Sequence, residues 1–275
     1  MTAGPTASLT AGPTASTDPQ TVARAEQLQR LHAADELLVL VNVWDVVSAR
    51  VVADVPGTQA VATASHSVAA SHGYADGEQI PRDEMLTVVG RIAAAVDLPV
   101  TADLEAGYGD PAGTISRAVD LGVVGANLED RLDPLADAVR AVRQAVQAAE
   151  RAGVPFVLNA RTDAYLLGGD RDPATVLADA IERGRAYLDA GASQVFVPGV
   201  QDEAAVAALV EALGQRRVNV MAMPGALPLA TLQGLGISRV SYGPMSQNVA
   251  LTALAELAED LHRGGALPEG TRRLS

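Results

Sequence analysis

The sequence predicts a (β/α)8 TIM-type barrel, on three observations. Eight short apolar runs recur along the chain, each followed by a stretch of helical periodicity. Eight such units close a parallel barrel, whereas an open doubly wound sheet usually stops at about five or six strands. The segments Leu121-Gly-Val123, Ala190-Gly-Ala192 and Leu235-Gly-Ile237 read as helix C-caps that feed short loops into the next strand. The 275 residues also suit a single barrel of about 250 residues.

Residues 1–19 repeat the heptamer Thr-Ala-Gly-Pro-Thr-Ala-Ser at Thr2–Ser8 and Thr10–Ser16. This low-complexity stretch has little to bury and is expected to be a disordered tail, leaving residues 20–275 as one barrel domain. Asp18-Pro19 caps a helix to about Ala34. Strands are then expected at Leu37–Val43, Gln59–Thr63, Val100–Leu104, Val123–Leu128, Pro155–Asn159, Gln194–Val197, Val218–Met221 and Arg239–Tyr242. Helices are expected at Asp45–Asp54, Pro81–Val96, Pro111–Leu121, Pro134–Ala152, Ala174–Ala190, Glu203–Leu213, Leu227–Leu235 and Ser246–His262. The stretch after the second strand, around His66 and His72, reads as a loop.

Composition excludes several chemistries. There is no cysteine, which removes disulfides, thiolate nucleophiles, Cys-ligated zinc and iron–sulfur clusters. All 20 basic residues are arginine, so a Schiff-base lysine is absent as well. A net charge of −13 argues against nucleic acid or an anionic membrane as partner. No apolar run approaches the ~20 residues of a membrane span, and a soluble, cytoplasmic protein is expected.

A barrel of this kind carries its site at the carboxyl ends of the strands. In Pro99-Val-Thr-Ala-Asp-Leu-Glu-Ala-Gly-Tyr-Gly-Asp110, Asp103 and Glu105 are two apart and share a face if the strand continues. They suit a divalent cation; the competing reading is a polar strand-to-helix loop. Other strand ends bring Trp44, Asp76, Asn127, Glu129, Asp130, Asn159, Arg161, Asp163 and Asn219. Magnesium prefers hard carboxylate oxygens and keeps several waters, which fits Asp103, Glu105, Glu129 and Asp76. Arg161 can hold a carboxylate or phosphonate in a forked pair, or close the barrel end as a buried ion pair with Glu129. Asp130 and Asp163 read as capping or loop-bonding groups. His66 could act as an acid or base near neutral pH or be a loop histidine. Tyr74 and Tyr108 are further proton donors or packing residues.

The segments Ser48-Ala-Arg50, Gly73-Tyr-Ala-Asp-Gly-Glu78, Ala102-Asp-Leu-Glu-Ala-Gly-Tyr-Gly109, Gly125-Ala-Asn-Leu-Glu-Asp130 and Asn159-Ala-Arg-Thr-Asp163 resemble the isocitrate lyase/phosphoenolpyruvate mutase superfamily. So does Arg183…Ala186-Tyr…Ala190-Gly-Ala192, and the likeness spans roughly residues 36–262. It implies a Mg2+-dependent barrel (with Mn2+ as a substitute) acting on small 2-oxo or 2-hydroxy acids. Carried over by position, Asp103 would bind the metal directly, and Glu105, Glu129 and Asp76 through water. Amides near Ala64-Ser65-His66 would hold the substrate's carboxylate or oxyanion, Arg161 its other acidic group, and Asn219 would add a hydrogen bond. The lyases' Lys-Lys/Arg-Cys-Gly lid has no counterpart, since Arg131-Leu-Asp-Pro-Leu135 runs into the next helix.

The implied activity is cleavage or formation of a C–C bond through a metal-stabilised enolate. The alternatives are P–C bond chemistry on phosphoenolpyruvate- or phosphonopyruvate-like substrates, and a non-catalytic dicarboxylate-binding barrel. The resemblance also implies a homo-oligomer, dimer or tetramer, with the last helix exchanged between neighbours along Leu251, Leu254, Leu257 and Leu261. Expected partners are a small carboxylate or phosphonate substrate and further copies of the chain, without nucleic acid or membrane.

Overall fold

A computed structural model describes residues 18–274. The tail expected over residues 1–19 therefore lies outside the described residues, except Asp18 and Pro19. Those two begin helix α1 (Pro19–Ala33): the Asp18 carboxylate accepts from Gln20 N at 3.2 Å, and proline fills the first helical position.

The first expected strand is present as two halves, β1 (Leu38–Leu40) and β2 (Asn42–Val43), interrupted at Val41. Seven strands follow: β3 (Val61–Thr63), β4 (Val100–Asp103), β5 (Gly125–Glu129), β6 (Val157–Arg161), β7 (Gln194–Val197), β8 (Val218–Met221) and β9 (Arg239–Ser241). All pairings are parallel, in the order β1-β9-β8-β7-β6-β5-β4-β3-β2. Because β1 and β2 are successive pieces of one chain segment, the sheet closes on itself as an eightfold barrel with a split first strand.

Helices α2 (Val46–Ala53), α4 (Arg82–Ala95), α5 (Pro111–Asp120), α6 (Leu135–Arg151), α7 (Pro173–Asp189), α8 (Glu203–Leu213), α9 (Leu229–Leu235) and α10 (Met245–His262) occupy the expected segments. Aspartates cap four of them: Asp45, Asp110, Asp172 and Asp202 each accept a backbone N–H from the first turn.

One helix corrects the sequence reading. The segment after β3, expected as a loop, forms α3 (Ser65–Ser71). Its cap, Ala64, offers no side chain, so the usual starting signal is missing. Tertiary contacts hold it instead: Ser65, Ser67, Val68 and Ala69 are buried, and Gln247 of α10 donates to Ser67 O at 3.1 Å and Ser71 Oγ at 2.9 Å.

The apolar core lies between strands and helices, with Leu28, Ile92, Ile115, Val206 and Leu209 among its buried members. The barrel interior is polar. Asn159 Nδ2 donates to Asn127 Oδ1 at 3.0 Å, Asn219 Nδ2 donates to Asn159 Oδ1, and Ser238 Oγ donates to Asn219 Oδ1. Arg239, 1% exposed, reaches Asn127 Oδ1 at 3.4 Å. Strands β5 and β9 are not sheet neighbours, so this contact crosses the barrel.

Candidate active site

Asp103 ends β4, and what precedes it fixes its direction. Its N–H donates to Thr63 Oγ1 at 3.0 Å, and its Oδ2 accepts from Ser65 N at 3.2 Å and Ser65 Oγ at 2.8 Å. The carboxylate lines a cavity of about 150 Å³ at the carboxyl ends of the strands, together with Asn42, Ser65, His66, Asp76 and Arg161.

Glu105 reaches the site by a different route from the one strand alternation implies. The strand stops at Asp103, and Glu105 sits at φ +54°, outside the extended region. A tight turn sets it there: Gly107 N donates to Leu104 O at 3.0 Å, and Glu129 N donates to Glu105 O at 2.9 Å. The side chain is 2% exposed, and its Oε1 is buried without a hydrogen-bond partner. Burial, then the charges of Asp103 and Asp76, push its pKa up to about 7. A buried, unpartnered carboxylate oxygen close to two further carboxylates suits a cation.

Glu129 and Arg161 are cross-strand partners in the β5–β6 register, which brings them together. Arg161 Nη1 lies 2.8 Å from Glu129 Oε2, and its Nε lies 2.7 Å from Asp163 Oδ1. Burial raises the pKa of Glu129, with Arg161 pulling the other way. Arg161 thus carries the ion pair and lines the cavity at once. Asp163 and Asp130 are committed to the loops. Asp130 accepts from Asp163 N and Leu132 N, each at 3.0 Å, from Tyr187 Oη at 2.5 Å and from Arg183 Nη1 at 3.2 Å.

His66, in the first turn of α3, places Nδ1 3.4 Å from Asp76 Oδ2, both side chains being half exposed at the mouth. The pair leaves the other ring nitrogen of His66 available for a proton. Tyr108 has a buried hydroxyl without a partner, and Tyr74 Oη donates to Glu84 at 3.0 Å.

Ala64 and Ser65 line the cavity with their amides engaged, whereas Asn219 and Trp44 are not among its lining residues. The amides of Ala64 and Ser65 are already used, donating to Val43 O at 3.3 Å and to Asp103, so those two do not form a vacant oxyanion cradle. Asn219 is fully buried in the interior network rather than at the mouth. Trp44 packs against the apolar core and is not among the cavity-lining residues.

Other site residues carried weaker sequence signals. Asn42 interrupts an apolar run; its Oδ1 accepts from Tyr242 N at 2.8 Å and Gly243 N at 2.9 Å, and its Nδ2 donates to Thr63 O at 2.9 Å. It staples the split strand to β3 and to the loop leading into α10. Leu166, Phe196 with Pro198, and Met221 line the cavity from three distant segments with no local motif.

Among the described residues, no three His, Asp or Glu side chains close into a cage on their own. A magnesium ion keeps most of its water and needs few direct protein ligands. Asp103 aimed into the cavity, with the orphaned Glu105 Oε1 behind it, therefore fits that ion's donor preferences.

Comparison with known proteins gives the family of this barrel. The family model for phosphoenolpyruvate phosphomutase matches residues 28–262. The crystal structure of a proposed phosphonomutase from Burkholderia cenocepacia J2315 is 41% identical, covers 89% of this chain and all of its own, and superposes with a TM-score of 0.81. The 2,3-dimethylmalate lyase of Eubacterium barkeri is 27% identical over 85% of this chain and 84% of its own. Oxaloacetate acetylhydrolase in complex with its product oxalate is 26% identical, covers 91% of each chain, and has a TM-score of 0.81. The chain belongs to the phosphoenolpyruvate phosphomutase family, within the isocitrate lyase/phosphoenolpyruvate mutase superfamily of enzymes.

Proposed function

We propose that the protein is a Mg2+-dependent lyase that cleaves, or in reverse forms, a C–C bond in a small 2-oxo or 2-hydroxy carboxylic acid. The observation that carries this reading is Asp103, held by Ser65 and aimed into a cavity bordered by Arg161, with the unpartnered Glu105 carboxylate behind it. Asp103 would hold the ion directly, and Glu105, Glu129 and Asp76 would grip its waters. The ion, when bound, supplies Lewis-acid stabilisation of negative charge developing on the substrate oxygen.

The chain's own groups do the rest. Arg161 keeps three N–H donors beyond those given to Glu129 and Asp163, enough to orient an acidic group. His66, steered by Asp76, exchanges a proton at its free ring nitrogen. The likeness to the Burkholderia phosphonomutase supports a second reading, P–C bond chemistry on a phosphonate.

The decisive experiment compares Mg2+-dependent binding of oxalate, by calorimetry, in the parent and Asp103→Asn, alongside turnover of a 2-hydroxy-acid panel. The expected result is loss of oxalate binding and a fall in turnover of about 10²- to 10⁴-fold, corresponding to several kcal/mol of lost stabilisation. Unchanged binding in the variant would remove Asp103 from the metal site. Phosphate release from phosphonopyruvate would favour the second reading, and binding of dicarboxylates without any turnover would leave a non-catalytic barrel.

We also infer a homo-oligomer, dimer or tetramer, in the cytoplasm. Among the described residues no helix is long and apolar enough to cross a membrane. Yet α10 leaves Val249, Leu251, Leu254 and Leu261 exposed, beside a groove of about 590 Å³ lined by Met223, Pro224 and Met245. An apolar stripe of that kind asks for a second copy. Leu251→Glu with Leu254→Glu is expected to yield a monomer by light scattering; an unchanged mass would place the interface elsewhere.

A further inference from the structure

A serine and three asparagines run head to tail through the barrel interior. Ser238 Oγ donates to Asn219 Oδ1, Asn219 Nδ2 to Asn159 Oδ1, and Asn159 Nδ2 to Asn127 Oδ1 at 3.0 Å. Arg239 fixes the direction. A guanidinium only donates, so the atom of Asn127 that lies 3.4 Å from Arg239 Nη2 is its oxygen. Each amide in the row is then turned the same way, oxygen back toward Ser238 and nitrogen onward.

The row ends at the cavity. Asn127 lines it, beside Asp103 in the β4–β5 register. Its Oδ1 is taken twice, by Asn159 and by Arg239. Its Nδ2 donates to nothing among the described residues, and it is not one of the sealed, unpartnered atoms. That amide nitrogen is left for what the cavity holds. Arg239 also charges the row. It is 1% exposed with Nε and Nη1 buried and unpartnered, so Asn127 takes the one side-chain hydrogen bond it makes among the described residues. Burial lowers its pKa to about 10, with Asp103 pulling the other way, which leaves it protonated at neutral pH. Two donors on one carbonyl oxygen, one of them cationic, polarise the amide and strengthen its N–H as a donor.

Resting on the metal-dependent reading, we propose that Asn127 is a substrate-binding residue and Arg239 the positioning residue that aims it. Asn127 Nδ2 donates to an oxygen at the acid end of the substrate, where negative charge develops. It supplies what the amides of Ala64 and Ser65, engaged by Val43 O and Asp103, do not. A donor already turned and polarised by its neighbours needs no reorganisation when that charge appears.

The test measures two affinities in the full chain: Mn2+ by electron paramagnetic resonance, and oxalate with Mg2+ by calorimetry. Asn127→Asp keeps the acceptor that Arg239 and Asn159 use and removes only the donor. Arg239→Gln removes the buried charge, and Arg239→Lys restores it. In Asn127→Asp oxalate should weaken by about tenfold or more, while Mn2+ binds as tightly as in the parent or more so, since a carboxylate now stands beside Asp103. Arg239→Gln should show the same opposed pair, with oxalate weaker by about threefold or more. Arg239→Lys should stay within about twofold of the parent in both; a fall equal to that of Arg239→Gln would overturn the role of its charge. A merely structural fault would weaken both affinities together, and far-UV circular dichroism checks the fold. Should Asn127→Asp fail to fold, the Arg239 pair still decides. Parental oxalate affinity in Asn127→Asp or Arg239→Gln, or loss of both affinities in step, overturns this inference alone. Failure of the parent to bind Mn2+, or oxalate with Mg2+, overturns the metal-dependent reading and this inference with it.

Discussion

Tyr187→Phe removes one oxygen atom from a buried site 57 residues away in sequence from the group it serves. The Tyr187 hydroxyl donates to Asp130 Oδ2 at 2.5 Å, and the ring is fully buried. Asp130 in turn accepts Asp163 N, and Asp163 accepts Arg161 Nε. The hydroxyl is therefore the outer end of a chain that reaches the cavity. A hydrogen bond to a charged group contributes about 1.5–3 kcal/mol. Asp130 keeps Arg183 and two backbone donors after the change, so the expected loss is in the middle of that range, about 2 kcal/mol. For a chain of this size that lowers the melting temperature by about 3–6 °C. Differential scanning calorimetry reads the stability. Oxalate affinity with Mg2+ reads the site and should weaken a few-fold as Arg161 loosens. A melting temperature within 1 °C of the parent, with unchanged affinity, would show that Asp130 does not depend on Tyr187.

His32 gives a pH dependence of definite sign. Burial, and then the Arg239 charge, lower its pKa from 6.5 to about 4, and its Nδ1 donates to Leu28 O at 2.9 Å. The folded protein holds it neutral, so the unfolded chain takes the proton first. Stability is unaffected above about pH 6.5, falls as pH drops towards 4, and loses roughly 3 kcal/mol in all. Urea titrations should show that part of the slope missing in His32→Gln; equal slopes would refute it. Gly107→Ala places a Cβ 2.9 Å from Pro111 Cα at φ +90°, costing about 2–5 kcal/mol and disturbing the Glu105 turn. Gly109→Ala, at φ +71° with open space around it, is expected to lose only about 1–2 kcal/mol. Equal melting temperatures for the two would refute the packing argument.

The barrel was legible because each apolar run and each helical stripe is a local signal, and aspartate caps marked where several helices begin. Helix α3 escaped notice because its first turn has no capping side chain and its stability comes from Gln247, 180 residues from Ser67. Strand alternation predicts a shared face for Asp103 and Glu105, but the strand stops at Asp103 and Glu105 takes a left-handed backbone at φ +54°. The sequence offers Asn219 to the mouth from the seventh expected strand. It is the second residue of β8, deep enough to join the interior network instead. The apolar lining left no trace in the sequence, since Leu166, Phe196 and Met221 are ordinary residues until the closed barrel brings them to one cavity.

The polar interior has a consequence for how the chain can be recombined. Hydrogen bonds from Asn219 to Asn159 and from Arg239 to Asn127 tie the last quarter of the barrel to its middle, across strands that are not neighbours. A βα unit with other residues at these positions would bring its own outer helix and still leave a buried amide or guanidinium without its match. Crossovers that keep β5, β6, β8 and β9 from one parent should preserve folding, whereas a seam between β6 and β8 should not. In this barrel the exchangeable module is a set of strands linked through the centre, not the single strand and helix that its outer face suggests.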